Sequence, residues 1–183
     1  MIAPSSAPLG AAILARIGLF AGYLYRPKGA NPVIEPLPSG CLVVPDRVVR
    51  QRGGSRITDC STFAGLGVVG ALPGRWDAAA CMDLAVGDAV RPYSPIEAVV
   101  RCLVGREVDA PVADRWHLVQ GWRVVDAAGK PDLAGGGHAF LWFGGEVGEK
   151  VHASSSAGRV LAEDTTWTAQ QGRYKGLRLA VLG

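Results

Sequence analysis

The chain has 183 residues, 49% hydrophobic and 19% charged, a globular composition long enough for one domain with its own core and short for two. Its formal net charge of +3 is small and unclustered, with no Lys/Arg run and no stripe of aromatics among basic residues, so nothing supports nucleic-acid binding. A mildly basic surface suits a polyanionic partner such as a cell wall.

Residues 1–9 carry no basic residue ahead of their apolar positions, and Ala11 to Leu24 is interrupted by Arg16, Gly18 and Gly22. Neither a secretory leader nor a membrane span is expected there. Ile13, Leu14, Ile17, Phe20, Ala21 and Leu24 recur at three- and four-residue intervals and predict an amphipathic helix from Ala11, stopped by Pro27 and Gly29. Pro27, Pro32, Pro36 and Pro38 mark an extended connection, and Cys41-Leu42-Val43-Val44 reads as a short strand.

Thr58-Asp59-Cys60-Ser61-Thr62-Phe63 then runs into the apolar segment Ala64 to Leu72. The pattern predicts a buried helix with a thiol in its first turn, Thr58 or Asp59 accepting from free backbone N–H groups. The positive end of such a helix favours the nucleophilic thiolate. The plain alternative is that Cys60 is a small buried hydrophobe. Cys41, Cys81 and Cys102 read as core residues. The four cysteines form no C-x-x-C pair and stand at no zinc-finger spacing from a histidine, so no metal and no cofactor is expected.

Pro73-Gly74 is a turn. Ser94-Pro95-Ile96-Glu97 opens a capped helix that ends at Gly105. Trp116 to Val125 alternates as a strand, and residues 126–131 turn. Three glycines lead into the strand His138 to Phe143. Lys150 to Ser154 is its neighbour across a turn at Gly144 to Glu149. Arg159 to Ala162 and Gly176 to Leu182 are two further strands. Helices first and an antiparallel meander after make an α+β fold.

A cysteine nucleophile needs a base within hydrogen-bond reach and a group that orients it. Of the three histidines His117, His138 and His152, the last two lie on adjacent predicted strands around one turn and can face each other, with His138 as base and His152 as orienter.

Asp59-Cys60-Ser61-x-Phe63 resembles the nucleophile motif of the NlpC-type cell-wall cysteine peptidases. Gly137-His138-Ala139-Phe140-Leu141 resembles their second motif, and Val151-His152-Ala153-Ser154-Ser155-Ser156-x-Gly158-x-Val160 their third. Trp167 with Tyr174-Lys175-Gly176-Leu177-Arg178 is similar to the closing strand. The resemblance covers residues 50–180. It implies a papain-like α+β fold in which helices carrying the nucleophile pack on an antiparallel sheet. It also implies hydrolysis of amide bonds in peptidoglycan stem peptides by Cys60, His138 and His152, with the backbone N–H of Cys60 or Ser61 and nearby Asp59 serving the oxyanion.

On this reading residues 1–183 are one peptidase domain, with an N-terminal extension over 1–45 and an insertion over 76–115. Thr62 stands where the family has glycine, and the interval from Cys60 to His138 is longer than usual. No tyrosine between Arg47 and Thr58 supplies the family's substrate-binding tyrosine, for which Tyr23 and Tyr25 are weak substitutes. The chain is expected to be made in the cytoplasm and to act at the cell wall or periplasm after delivery by a phage tail, gene-transfer particle or secretion machine. Proteins of that complex would be its partners, with no membrane or nucleic acid. Two alternatives remain open: a non-catalytic adaptor of such a complex, and an acyltransferase on the same fold.

Overall fold

The computed structural model describes residues 6–25, 57–60, 62–69, 72, 106–128 and 137–182. Cys41, Ser61, Cys81, Cys102, the expected strand from Cys41 and the capped helix from Ser94 lie outside them.

Among the described residues the protein is a mixed α+β fold. Its elements are α1 (Ser6–Leu19), β1 (Leu24–Tyr25), β2 (Ile57–Thr58), α2 (Thr62–Val68), β3 (Arg106–Val108), β4 (Trp116–Trp122), β5 (Gly137–Gly144), β6 (Val147–Ser154), β7 (Arg159–Thr166), α3 (Trp167–Arg173) and β8 (Gly176–Val181). One sheet runs in the order β2-β1-β7-β6-β5-β4-β8-β3. The β1–β2 pair is parallel and the other neighbours are antiparallel. The meander β4 to β7 was legible from alternation. The chain then crosses the sheet through α3, and β8 enters beside β4.

Side-chain alternation along each strand divides the sheet into two faces. Leu118, Ala139, Leu141, Val151, Ala153 and Ala180 pack under the helices with Ile13 of α1, Phe20 just after it, and Phe63, Ala64 and Val68 of α2. Phe20 meets Phe63 edge to face at 5.2 Å, an arrangement that suits the ring quadrupoles. Arg16 Nε donates to the Gly67 carbonyl at 3.0 Å and ties α1 to α2. On the other face Val119, Phe140, Trp142, Trp167, Tyr174 and Leu179 form a second apolar cluster.

Two expectations are refined. The first helix begins at Ser6 and ends at Leu19, with Pro8 in its first turn, where a missing N–H costs nothing. The second winds over Thr62–Val68 with the wider π-helical repeat, a geometry frequent at functional sites. The helix α3 was not anticipated, since its residues had been read with the closing strand. Thr166 Oγ1 accepts from Ala169 N at 3.2 Å and caps it, while Glu146 Oε1 accepts from Thr168 N at 3.1 Å. The turn of the β5–β6 hairpin therefore also holds the start of α3. Gly144 lies at φ +114, where a side chain would meet the Val147 carbonyl, so glycine permits the tight reversal.

Candidate functional site

His138 begins β5 and His152 lies inside β6. The hairpin register pairs Leu141 with Val151, so the two histidines are diagonal neighbours on one face rather than directly opposite. His138 Nε2 stands 2.9 Å from His152 Nδ1, a side-chain hydrogen bond, with the rings at 85° and centroids 5.1 Å apart. They share the face of Phe140, on which the His138 ring stacks at 5.9 Å.

Tyr174, just after α3, lies parallel to the His138 ring at 6.5 Å. Gly121, the cross-strand partner of His138, gives it room: an added Cβ would sit 2.7 Å from the tyrosine ring. Arg123 lies over the other elements of this corner, its guanidinium 5.9 Å from the Tyr174 centroid, within cation–π range.

Burial, reinforced by the positive charges of Lys150 and Arg123 and by His152, pushes His138 down to about 3. His152 is lowered too, by burial first and then Lys150, against a raising contribution from Glu163. Glu163 Oε1 lies 3.2 Å from His152 Nε2. The contact is an ion pair only when the imidazole is protonated, and its alignment falls short of a regular hydrogen bond. Burial alone would raise the Glu163 carboxyl; His152, Lys150 and Arg173 outweigh it and hold it below the usual value. Lys150 is only 2% exposed. Its ammonium donates to Gln170 Oε1 at 3.1 Å and sits 4.8 Å over the Phe140 ring. Burial lowers it to about 8.

Cys60 enters from the helix side. It is half-buried and packs at the margin of the first core. Thr58 is fully buried, and its hydroxyl donates to the Asp59 carbonyl at 3.2 Å. That carbonyl also accepts from Phe63 N at 3.0 Å, which closes the first helical turn around the cysteine. Tyr25 and Tyr174 both lie within electrostatic reach of Cys60. The parallel β1–β2 pair sets Tyr25 beside Thr58. Burial, Cys60 and Asp59 together raise the Tyr25 hydroxyl.

The structure thus joins His138 to His152, while Cys60 and Asp59 stand just ahead of α2 on the helix side of the sheet. The sequence reading left Glu163, Lys150 and Tyr174 out of the site and named Tyr25 only as a weak substitute for a substrate tyrosine. The period of two along β6 already aligned Lys150 with His152, but a lysine in a strand is ordinarily read as exposed.

His117 is a structural residue. Fully buried, it accepts from Val112 N at 3.0 Å through Nε2 and contacts the Trp142 carbonyl at 3.3 Å through Nδ1, so both nitrogens are engaged. Beyond Tyr174 a cleft of about 360 Å³ opens, lined by Trp167, Gln171, Tyr174, Lys175 and Leu177 among others. Among the described residues no helix is long and apolar enough to cross a membrane, and no cluster of metal-ligating side chains occurs.

Compared with protein-family models, with curated proteins and with solved structures, the chain matches none.

Proposed function

We propose that this protein is a papain-like cysteine hydrolase that cleaves amide bonds in peptidoglycan stem peptides, as a tail-, particle- or secretion-delivered enzyme. The observation that carries the reading is the 2.9 Å His138–His152 hydrogen bond, with Tyr174, which stacks on His138, within electrostatic reach of Cys60. A cysteine at a helix start, a base on a strand and a second residue holding that base are the parts that acyl transfer requires.

His152 occupies Nε2 of His138, which leaves Nδ1 for proton exchange. In the proposed cycle His138 Nδ1 takes the Cys60 thiol proton as sulfur attacks the scissile carbonyl carbon. The tetrahedral intermediate collapses, the C–N bond breaks, and the amine departs with that proton. His138 then deprotonates a water molecule that attacks the thioester, releasing the carboxylate and restoring the thiol. The Cys60 or Ser61 backbone N–H would face the oxyanion. Tyr25 is well placed beside Cys60 to hold substrate, and the cleft past Tyr174 offers polar and aromatic walls to an extended peptide.

A His138 held at about 3 does not retain the proton of an ordinary thiol, whose value is about 8.5. Burial therefore keeps His138 a neutral imidazole at rest, one that accepts a proton only as attack proceeds. The same weak basicity favours the second reading, a catalytically silent adaptor that keeps the fold.

Digestion of purified muropeptides separates the two. The wild type is expected to release new amino groups from stem peptides. Cys60→Ala is expected to lower that rate at least about a thousandfold, as loss of a nucleophile does. No release by the wild type, or equal release by the variant, would overturn the hydrolase reading.

A further inference from the structure

Neighbouring strands bring a carboxylate to the far side of the histidine pair. In the β6–β7 register His152 faces Leu161 and Lys150 faces Glu163, which makes Glu163 a diagonal neighbour of His152 on the same face. Lys150 would be the obvious partner for that carboxylate, but its ammonium donates to Gln170 Oε1 and lies over Phe140. Glu163 Oε1 meets His152 Nε2 instead, at 3.2 Å. That nitrogen is buried, and a buried donor is costly to leave unpaired.

We infer that Glu163 is a positioning residue: its carboxylate takes the Nε2–H of His152, which makes His152 Nδ1 an acceptor for His138 Nε2–H and leaves the lone pair of His138 on Nδ1. The proton order is thus read outward from Glu163 through two rings. A neutral imidazole has one donor and one acceptor nitrogen, so naming the role of one atom in this chain settles the other three. Without Glu163 both rings can invert together: His152 Nδ1–H then donates to His138 Nε2, and Nδ1 of His138 carries the proton. In that state His138 presents a donor where attack needs an acceptor. For catalysis the inference rests on the proposed hydrolase reading; for the histidine tautomers it stands independently of that reading.

The test uses full-length protein labelled with nitrogen-15 at histidine, in which protonated and bare ring nitrogens have well separated shifts. At pH 7 the wild type is expected to show His138 and His152 each protonated at Nε2 and bare at Nδ1. Glu163→Leu is expected to give mixed tautomers at both rings. Glu163→Gln keeps an oxygen acceptor and is expected to restore most of the native tautomer. On muropeptides Glu163→Leu should lose about ten- to a hundredfold in kcat, the range typical for an outer supporting contact, with a much smaller change in KM. A wild-type spectrum with His152 protonated at Nδ1 would overturn the inference whatever the variants do, as would unchanged tautomers in Glu163→Leu. Native tautomers that depend on Glu163 in a protein that cuts no muropeptide would sustain the positioning role and sink the hydrolase reading.

Discussion

The two faces of the sheet are packed by different rules. Under α1 and α2 the contacts are predominantly aliphatic and aromatic, from Ile13, Phe20, Phe63, Leu118 and Leu141. The opposite face mixes Phe140, Trp142 and Trp167 with buried His117, Lys150, His152 and Gln170. Apolar burial is non-directional and tolerates many arrangements, whereas each buried polar group needs a particular partner. The first face is therefore held predominantly by apolar packing, while the second combines apolar packing with titratable groups in fixed relation.

Three substitutions would break or sharpen that contrast. Phe63→Ala, in the first face, is expected to cost about 3–5 kcal/mol, the range for removing a buried phenylalanine. Urea denaturation measures it, and a loss below about 1 kcal/mol would mean that α2 adds little to the core. Gly121→Ala pushes a methyl group into the Tyr174 ring. The overpacking is expected to cost about 1–3 kcal/mol and to shift the ring signals of His138 as the stack opens; unaltered signals would show that Tyr174 does not rest on the histidine.

The third effect is one of slope. Lys150 falls from 10.5 in the unfolded chain to about 8 when folded, so between those values the unfolded state holds more protons and wild-type stability rises with pH. Below about pH 8 the folded protein carries a buried ammonium. Lys150→Met removes that charge at similar volume, so any stability advantage of the variant should shrink as pH goes from about 7.5 to 10. A difference in urea midpoint that stays constant across this window would show that Lys150 is not held as a buried charge.

The same contrast explains what could be read from the amino acids. Strands β4 to β8 were legible because their alternation, with glycines at the ends, is a local signal. The pairing of His138 with His152 followed from a single hairpin. The exact diagonal did not, because it depends on the two-residue reversal after Gly144 rather than on a longer turn. Helix α3 was missed although Thr166 caps it, since the flanking aromatics Trp167 and Tyr174 also suit a strand. The places of Glu163 and Tyr25 in the fold were out of reach for another reason. Glu163 needs the β6–β7 register, and Tyr25 needs a parallel pairing between β1 and β2, which no short-range pattern announces.

Sequence distance also divides the site. The hairpin that joins the histidines closes over 14 residues, while β1 is held by pairing Leu24 with Arg159, and α2 reaches β5 only across a long intervening stretch. Chain entropy opposes long closures more than short ones. The histidine pair is thus a local product of the meander, whereas the place of Cys60 depends on long closures through α1, α2 and β1. A lesion in those N-terminal elements can therefore disconnect the thiol while the pair itself stays assembled.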